Sequence, residues 1–214
     1  VAETFRHHQG VTDIRSHMDW LDDDLAAQTV EDRRAMFRKF EGANYDPGYG
    51  RAFDQVRRIV DRDGDFVADE DTVFATGFDD HAAGIGAGVL SYQGDVYYTC
   101  IPDLWKLHDK DGDGRAEQQT KLSSGYGVHV ALLGHDLHGL RIGPDRRLYF
   151  SCGDRGFHVE TDEGTLAHPQ CGAVLRCELD GSHLEVWHTG LRNPQELAFD
   201  DRGDPVQLDV RSRR

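Results

Sequence analysis

The chain has 214 residues, 38% of them hydrophobic and 29% charged, which suits a single globular domain rather than a disordered or fibrous chain. No run of eighteen apolar residues is present to span a membrane, and no basic-then-apolar signal segment opens the chain. A formal net charge of −15, from 24 basic and 39 acidic residues, repels nucleic acid and attracts cations.

Residues 1–5 read as a strand, a start expected of a piece cut from a longer protein. Thr29 and Asp32 resemble a capping box, and Val30, Met36, Phe37 and Phe40 give residues 30–40 an apolar helical face. This predicts a helical excursion over 28–42. Residues 43–51 follow as loop, by their Pro and Gly content.

An internal repeat then appears. Residues 61–78 (DRDGDFVADEDTVFATGF) align without a gap on residues 109–126 (DKDGDGRAEQQTKLSSGY), 48 positions later. Each copy places carboxylates at alternate positions of a tight loop, so that their oxygens converge. Calcium takes about 6–8 such oxygens and tolerates irregular geometry. In the second copy Asp109, Asp111, Asp113, the carbonyl of Arg115 and Glu117 form the expected ligand set. Gly114 stands where the loop must turn. The matching set in the first copy is Asp61, Asp63, Asp65, the carbonyl of Val67 and Asp69, with Phe66 in the glycine's place. Neither copy has a Glu at its twelfth position, where Thr72 and Thr120 stand. The flanks at 56–60, 73–76 and 104–107 read as strands, so these are strand-connecting loops and not helix-loop-helix hands. An acidic hairpin without metal is the alternative.

A second pattern recurs beside the first. Residues 88–100, 139–152 and 196–208 each read as strand, short polar turn and strand. Residues 173–189 form a further hairpin around Asp180-Gly181. Strand-turn-strand units at a period of about 40–50 residues favour propeller blades. The expected fold is therefore all-β: a partial β-propeller of about three to four blades, interrupted by one helix. Pro205 lacks the donor that a ladder needs, so the last strand is expected to fail, and the run RSRR (Arg211, Ser212, Arg213, Arg214) ends the chain. Of four cysteines (Cys100, Cys152, Cys171, Cys177) none forms a CxxC pair. Cys171 and Cys177 could pair, or all four could be buried thiols.

Residues 135–156 (HDLHGLRIGPDRRLYFSCGDRG) and 191–199 (LRNPQELAF) resemble the soluble pyrroloquinoline-quinone (PQQ) aldose dehydrogenases, also called glucose/sorbosone dehydrogenases. The resemblance puts the family's catalytic histidine on His135 and its quinone contacts on Arg192 and Asn193. Residues 1 to about 204 are also similar to bacterial haem-bearing proteins labelled membrane-bound dehydrogenases. That likeness implies a six-bladed propeller, a periplasmic or extracellular location, and a c-type haem in a further domain, with no haem in this chain. Gly139 stands where the family has Arg, and Arg155 where it usually has Gln. His129 and His138 lie close to His135 and compete with it for the role of base. The chemistry is coherent. Histidine suits proton removal from a sugar hydroxyl near neutral pH, and Arg192 could fork onto a quinone carboxylate or carbonyl. A non-enzymatic calcium-stabilised propeller that binds glycans or proteins, and an inactive truncated product, are the other readings.

Overall fold

The computed structural model describes residues 1–6, 11–45 and 52–209, the last five by backbone alone. Part of the expected 43–51 loop and the terminal RSRR run lie outside the described residues.

The chain is all-β, a partial propeller of antiparallel sheets taken up in chain order. The first sheet contains β1 (Ala2–Thr4), β2 (Asp54–Val60) and β3 (Glu70–Phe78). The second is a four-stranded meander of β4 (Gly88–Tyr92), β5 (Asp95–Cys100), β6 (Asp103–His108) and β7 (Gln118–Ser124). The third is built from β8 (Leu137–Ile142), β9 (Leu148–Cys152), β12 (Gly172–Cys177) and β13 (Glu185–Leu191). A hairpin of β10 (Phe157–Thr161) and β11 (Gly164–His168) leaves this sheet between its second and third strands. A fourth, two-stranded sheet pairs β14 (Pro194–Phe199) with β15 (Pro205–Asp209).

The period of two along each strand stacks these sheets. Tyr97 and Tyr98 are neighbours on β5 and point to opposite faces. Tyr97 joins Tyr126, Phe150 and Leu175 between the second and third sheets. Tyr98 joins Val56, Phe74 and Phe78 between the first and second. On β9, Leu148 and Phe150 face the second sheet while Tyr149 packs with Val174 and Leu197 toward the fourth. Strands buried on both faces explain the all-apolar runs at 148–150 and 173–175, and each aromatic or leucine so buried contributes roughly 1.5–3 kcal/mol. Successive face-to-face sheets are the arrangement of propeller blades.

The excursion between β1 and β2 is larger than the one helix expected. It holds 3-10 turns at Ile14–Ser16, Met18–Trp20 and Gly42–Asn44, and helices α1 (Leu21–Ala26) and α2 (Val30–Glu41). The capping box on α2 forms: Thr29 Oγ1 accepts from the Asp32 N–H, and the Asp32 carboxylate accepts from the Thr29 N–H. Trp20, Met36 and Phe37 pack with Val130, fastening the excursion to the loop before β8.

One expectation needs correction. The last strand does form, because Pro205 is its first residue, a position that a proline tolerates. Of the two readings of the cysteines, the free-thiol one holds: Cys171 and Cys177 do not pair, all four are free, and Cys100, Cys152 and Cys177 are buried. The strand β12 lies between those two, and an extended stretch of that length spans about 20 Å, far beyond disulfide reach. Among the described residues no helix is long and apolar enough to cross a membrane.

Candidate functional site

Three strand connections meet at one edge of the third and fourth sheets. They are the loop before β8, the Gly153-Asp154-Arg155-Gly156 turn after β9, and the Arg192-Asn193 link from β13 to β14. Backbone hydrogen bonds hold them together: Gly153 N–H to Asp136 O at 3.0 Å, and Asp154 N–H to Arg192 O at 2.7 Å. Gly153 permits the approach, since a Cβ there would stand 2.5 Å from His135 O.

This junction brings together two of the residues singled out in the sequence and adds a third. His135, 7% exposed, places Nδ1 2.6 Å from Asp154 Oδ1. Arg192 Nε lies 3.9 Å from the other oxygen, Asp154 Oδ2. Asp154 therefore joins His135 to Arg192. A carboxylate on Nδ1 accepts its proton, which leaves Nε2 as the nitrogen with the free lone pair. Asn193 is buried beside Arg192.

The rival histidines are engaged differently. His138 Nε2 donates to Gly134 O at 2.8 Å, so it is spent on the loop. His129 Nδ1 is bonded to the backbone carbonyl of Asp24. The three do not converge on a common point, and no group of metal-ligating side chains among the described residues includes any of them. Gly139, where the resemblance led to an Arg, has φ +64° inside a bulge of β8 against β9. A side chain there would press on Leu197 and Ser151, both 3.1 Å from an ideal Cβ.

Arg155 also has a structural role. It is buried, donates to Thr12 O at 2.7 Å, and lies 3.4 Å from the Asp136 carboxylate. Arg33 of α2 is buried in the same region, and its own burial, with Arg155 nearby, pushes its guanidinium down to about 9.

The two acidic loops lie elsewhere, on the outer hairpins β2–β3 and β6–β7. In the second, one oxygen each of Asp109, Asp111, Asp113 and Glu117 falls within 4.8 Å of the others. In the first, Asp61, Asp63 and Asp65 converge in the same way and Asp69 is not among them. Loop N–H groups shape both. Asp109 accepts from Gly112 and Gly114 at 2.7 and 2.9 Å, and Asp61 accepts from Gly64 and Phe66 at 2.7 and 2.9 Å. These donors hold the Asp61 carboxyl below its ordinary range, Gly64 most of all. Phe66 takes the left-handed backbone (φ +66°) that Gly114 takes at φ +88°, and its ring is 98% exposed. The second loop also clasps the first sheet, through Ala116 N–H to Phe74 O at 2.7 Å.

Asp154 was not singled out in the sequence. Its signal was positional: an acidic residue directly after Gly at the end of a buried strand.

Among known proteins, a family model described as a domain of unknown function (DUF7133) matches residues 36–209. A quinoprotein glucose dehydrogenase B from Acinetobacter calcoaceticus is 32% identical over 100 residues, covering 34% of this chain and 21% of that protein. The match thus takes in about a fifth of the relative's length. A chain in the crystal structure of a nidogen/laminin complex aligns over 72% of this chain and 66% of its own, at 13% identity and a TM-score of 0.28, too low to carry an argument.

Proposed function

The chain belongs to the DUF7133 family, and from that premise we propose that it forms part of a quinone-dependent dehydrogenase propeller that oxidises a hydroxyl of a sugar-like substrate. The observation that carries this reading is the His135–Asp154–Arg192 junction. The distant likeness to a quinoprotein glucose dehydrogenase agrees with it.

Each residue has a task. Asp154 holds His135 in the tautomer with Nε2 unprotonated and stabilises the imidazolium once Nε2 has taken the hydroxyl proton. Loss of that proton turns the carbon–oxygen bond toward a carbonyl as a hydride leaves the same carbon. A bound quinone would supply the two-electron acceptor. PQQ is an anionic orthoquinone, and the donor set fits it in part. The half-exposed Arg192 guanidinium makes no side-chain hydrogen bond among the described residues, so its donors remain available to an anion. Asn193 would contact the quinone beside it.

Calcium in the loops of Asp109, Asp111, Asp113, Arg115 and Glu117, and of Asp61, Asp63, Asp65, Val67 and Asp69, is part of the same proposal, with a structural role. A periplasmic or extracellular location goes with it, because weak exposed calcium loops fill where calcium is abundant.

The test is a fluorescence titration of the chain with PQQ, for wild type, Arg192→Ala and His135→Asn. We expect saturable binding that weakens about tenfold or more in Arg192→Ala and persists in His135→Asn. No saturation, or equal binding in Arg192→Ala, sinks the quinone reading. Calcium binding without quinone binding would instead favour a non-enzymatic propeller.

A further inference from the structure

The residues that follow the two partners of the site are themselves paired. His135 meets Asp154 through Nδ1. One position on in each segment, Arg155 Nε lies 3.4 Å from Asp136 Oδ1. Alongside these contacts, Gly153 N–H donates to Asp136 O at 3.0 Å. The segments before β8 and after β9 are thus fastened by two neighbouring side-chain pairs and a backbone hydrogen bond. The pairs differ in exposure. Asp154 keeps 29% of its side chain exposed, while the side chains of Asp136 and Arg155 are each 1% exposed. One pair opens to solvent, and the other is sealed in the protein.

Arg155 reaches beyond this pair. Its Nη2 donates to Thr12 O at 2.7 Å, and Leu132 O lies 3.4 Å from the same nitrogen. Its own carbonyl accepts from His129 N–H at 2.8 Å. One planar guanidinium therefore joins the turn that carries Asp154 to the loop that carries His135, and both to the excursion. Arg33 is the other buried guanidinium acting on the Asp136 charge, but its Nη2 is committed to Ala82 O. The Asp136 carboxylate makes no hydrogen bond among the described residues. A buried charge held by ion pairing alone is a costly arrangement, and apolar residues in its place are often as stable. Stability is thus a poor reason for the pair, whereas fixing two segments against each other is a good one.

We propose that Arg155 is a positioning residue for the site. With Asp136 it sets the 153–156 turn against the loop before β8, and so holds Asp154 within hydrogen-bond reach of His135 Nδ1. It acts through Asp154 and touches neither substrate nor quinone. A lysine would keep the charge but not the fork, so it could not serve Asp136 and Thr12 O together. That the held pair works as a base rests on the dehydrogenase reading; the positioning does not.

The test reads His135 directly and needs no quinone. The chain is labelled with nitrogen-15 at its histidines, and spectra are recorded at about pH 8, above the ordinary range of histidine titration. His135→Asn assigns the resonances by their loss. In the wild type we expect His135 in the Nδ1–H tautomer, with the Nδ1 proton slow to exchange. Arg155→Lys, and Arg155→Met combined with Asp136→Asn, should speed that exchange by about tenfold or more, the size of one good hydrogen bond, and move the nitrogen shifts toward a mixture of tautomers. Phe74→Leu, in the core between the first and second sheets, lowers stability without touching the junction, and should leave the His135 signals in place. Signals unchanged in whichever Arg155 variant folds, or moved as far by Phe74→Leu, overturn the proposal. Failure of both Arg155 variants to fold overturns it too, since the residue is then structural. A chain that binds no PQQ but shows the shift loses the dehydrogenase reading alone, and one that binds PQQ with His135 unmoved loses the positioning alone.

Discussion

Single residues carry the sharpest consequences at the junction of the third and fourth sheets. Gly139 is the clearest, because its left-handed backbone excludes a side chain that the resemblance called for. Gly139→Ala should lower unfolding free energy by about 1–3 kcal/mol, from backbone strain and from pressure on Leu197 and Ser151. Urea denaturation of the two proteins checks this, and coincident midpoints would contradict it. His135 and Arg192 were legible in the sequence, since each sits in a recognisable local run. Asp154 lies in the same 135–156 run as His135, but its part in the site was not legible, because it meets His135, 19 positions before it, and Arg192, 38 after it, only once strand ends have been placed in space. No spacing rule reaches across such separations. The same limit applies to Asp24, which acts on His129 from 105 residues away.

At the scale of elements, the two acidic hairpins differ in one respect that can be measured. Four carboxylates converge in the loop of Asp109 and three in the loop of Asp61. If both take calcium, the second loop should bind the first equivalent, and Asp111→Asn should weaken that step by about tenfold while Asp63→Asn leaves it unchanged. Calorimetric titration of the three proteins decides it, and a chain that takes up no calcium contradicts both halves. The hairpins themselves were readable, since turn residues such as Asp180-Gly181 sit between apolar runs and Gly181 takes φ +89°. Much of the excursion was not. The run LDDDLA of α1 has too few apolar residues to show a period, and it is held by Leu21 packing against the Trp20, Met36, Phe37 and Val130 cluster and by the buried Asp24 accepting from Val130 N–H. The β10–β11 hairpin was missed for a related reason: Thr165, Ala167 and His168 on β11 are exposed, so burial leaves no pattern in it.

For the whole molecule, stacking and charge pull in opposite directions. Paired faces such as Tyr97–Phe150 and Tyr98–Phe78 bind successive sheets together, while a net charge of −15 pushes the compact state apart. Raising sodium chloride from about 20 to about 200 mM shortens the Debye length to under 10 Å and should raise Tm. A Tm that is flat or falls with salt would show that acidic repulsion is not a controlling term. The face-to-face order of the sheets was legible because both-face burial writes continuous apolar runs at 148–150 and 173–175. The closeness of the excursion to the His135 junction was not, because it depends on Arg155 reaching Thr12 O across 143 residues.

That reach bears on the order in which the chain can fold. β1 pairs with β2 through Ala2 and Val56, and the whole excursion lies between them. Closing so long a loop draws heavily on chain entropy before any ladder bond repays it. During synthesis from the N-terminus, the first strand therefore waits for more than fifty residues before its partner exists. The segment after it waits longer still, until Arg155 has emerged to hold Thr12. Residues 2–12 are thus made well before the partners that fix them, and β1 spends that interval as an unpaired strand open to capture by a chaperone or by another nascent chain.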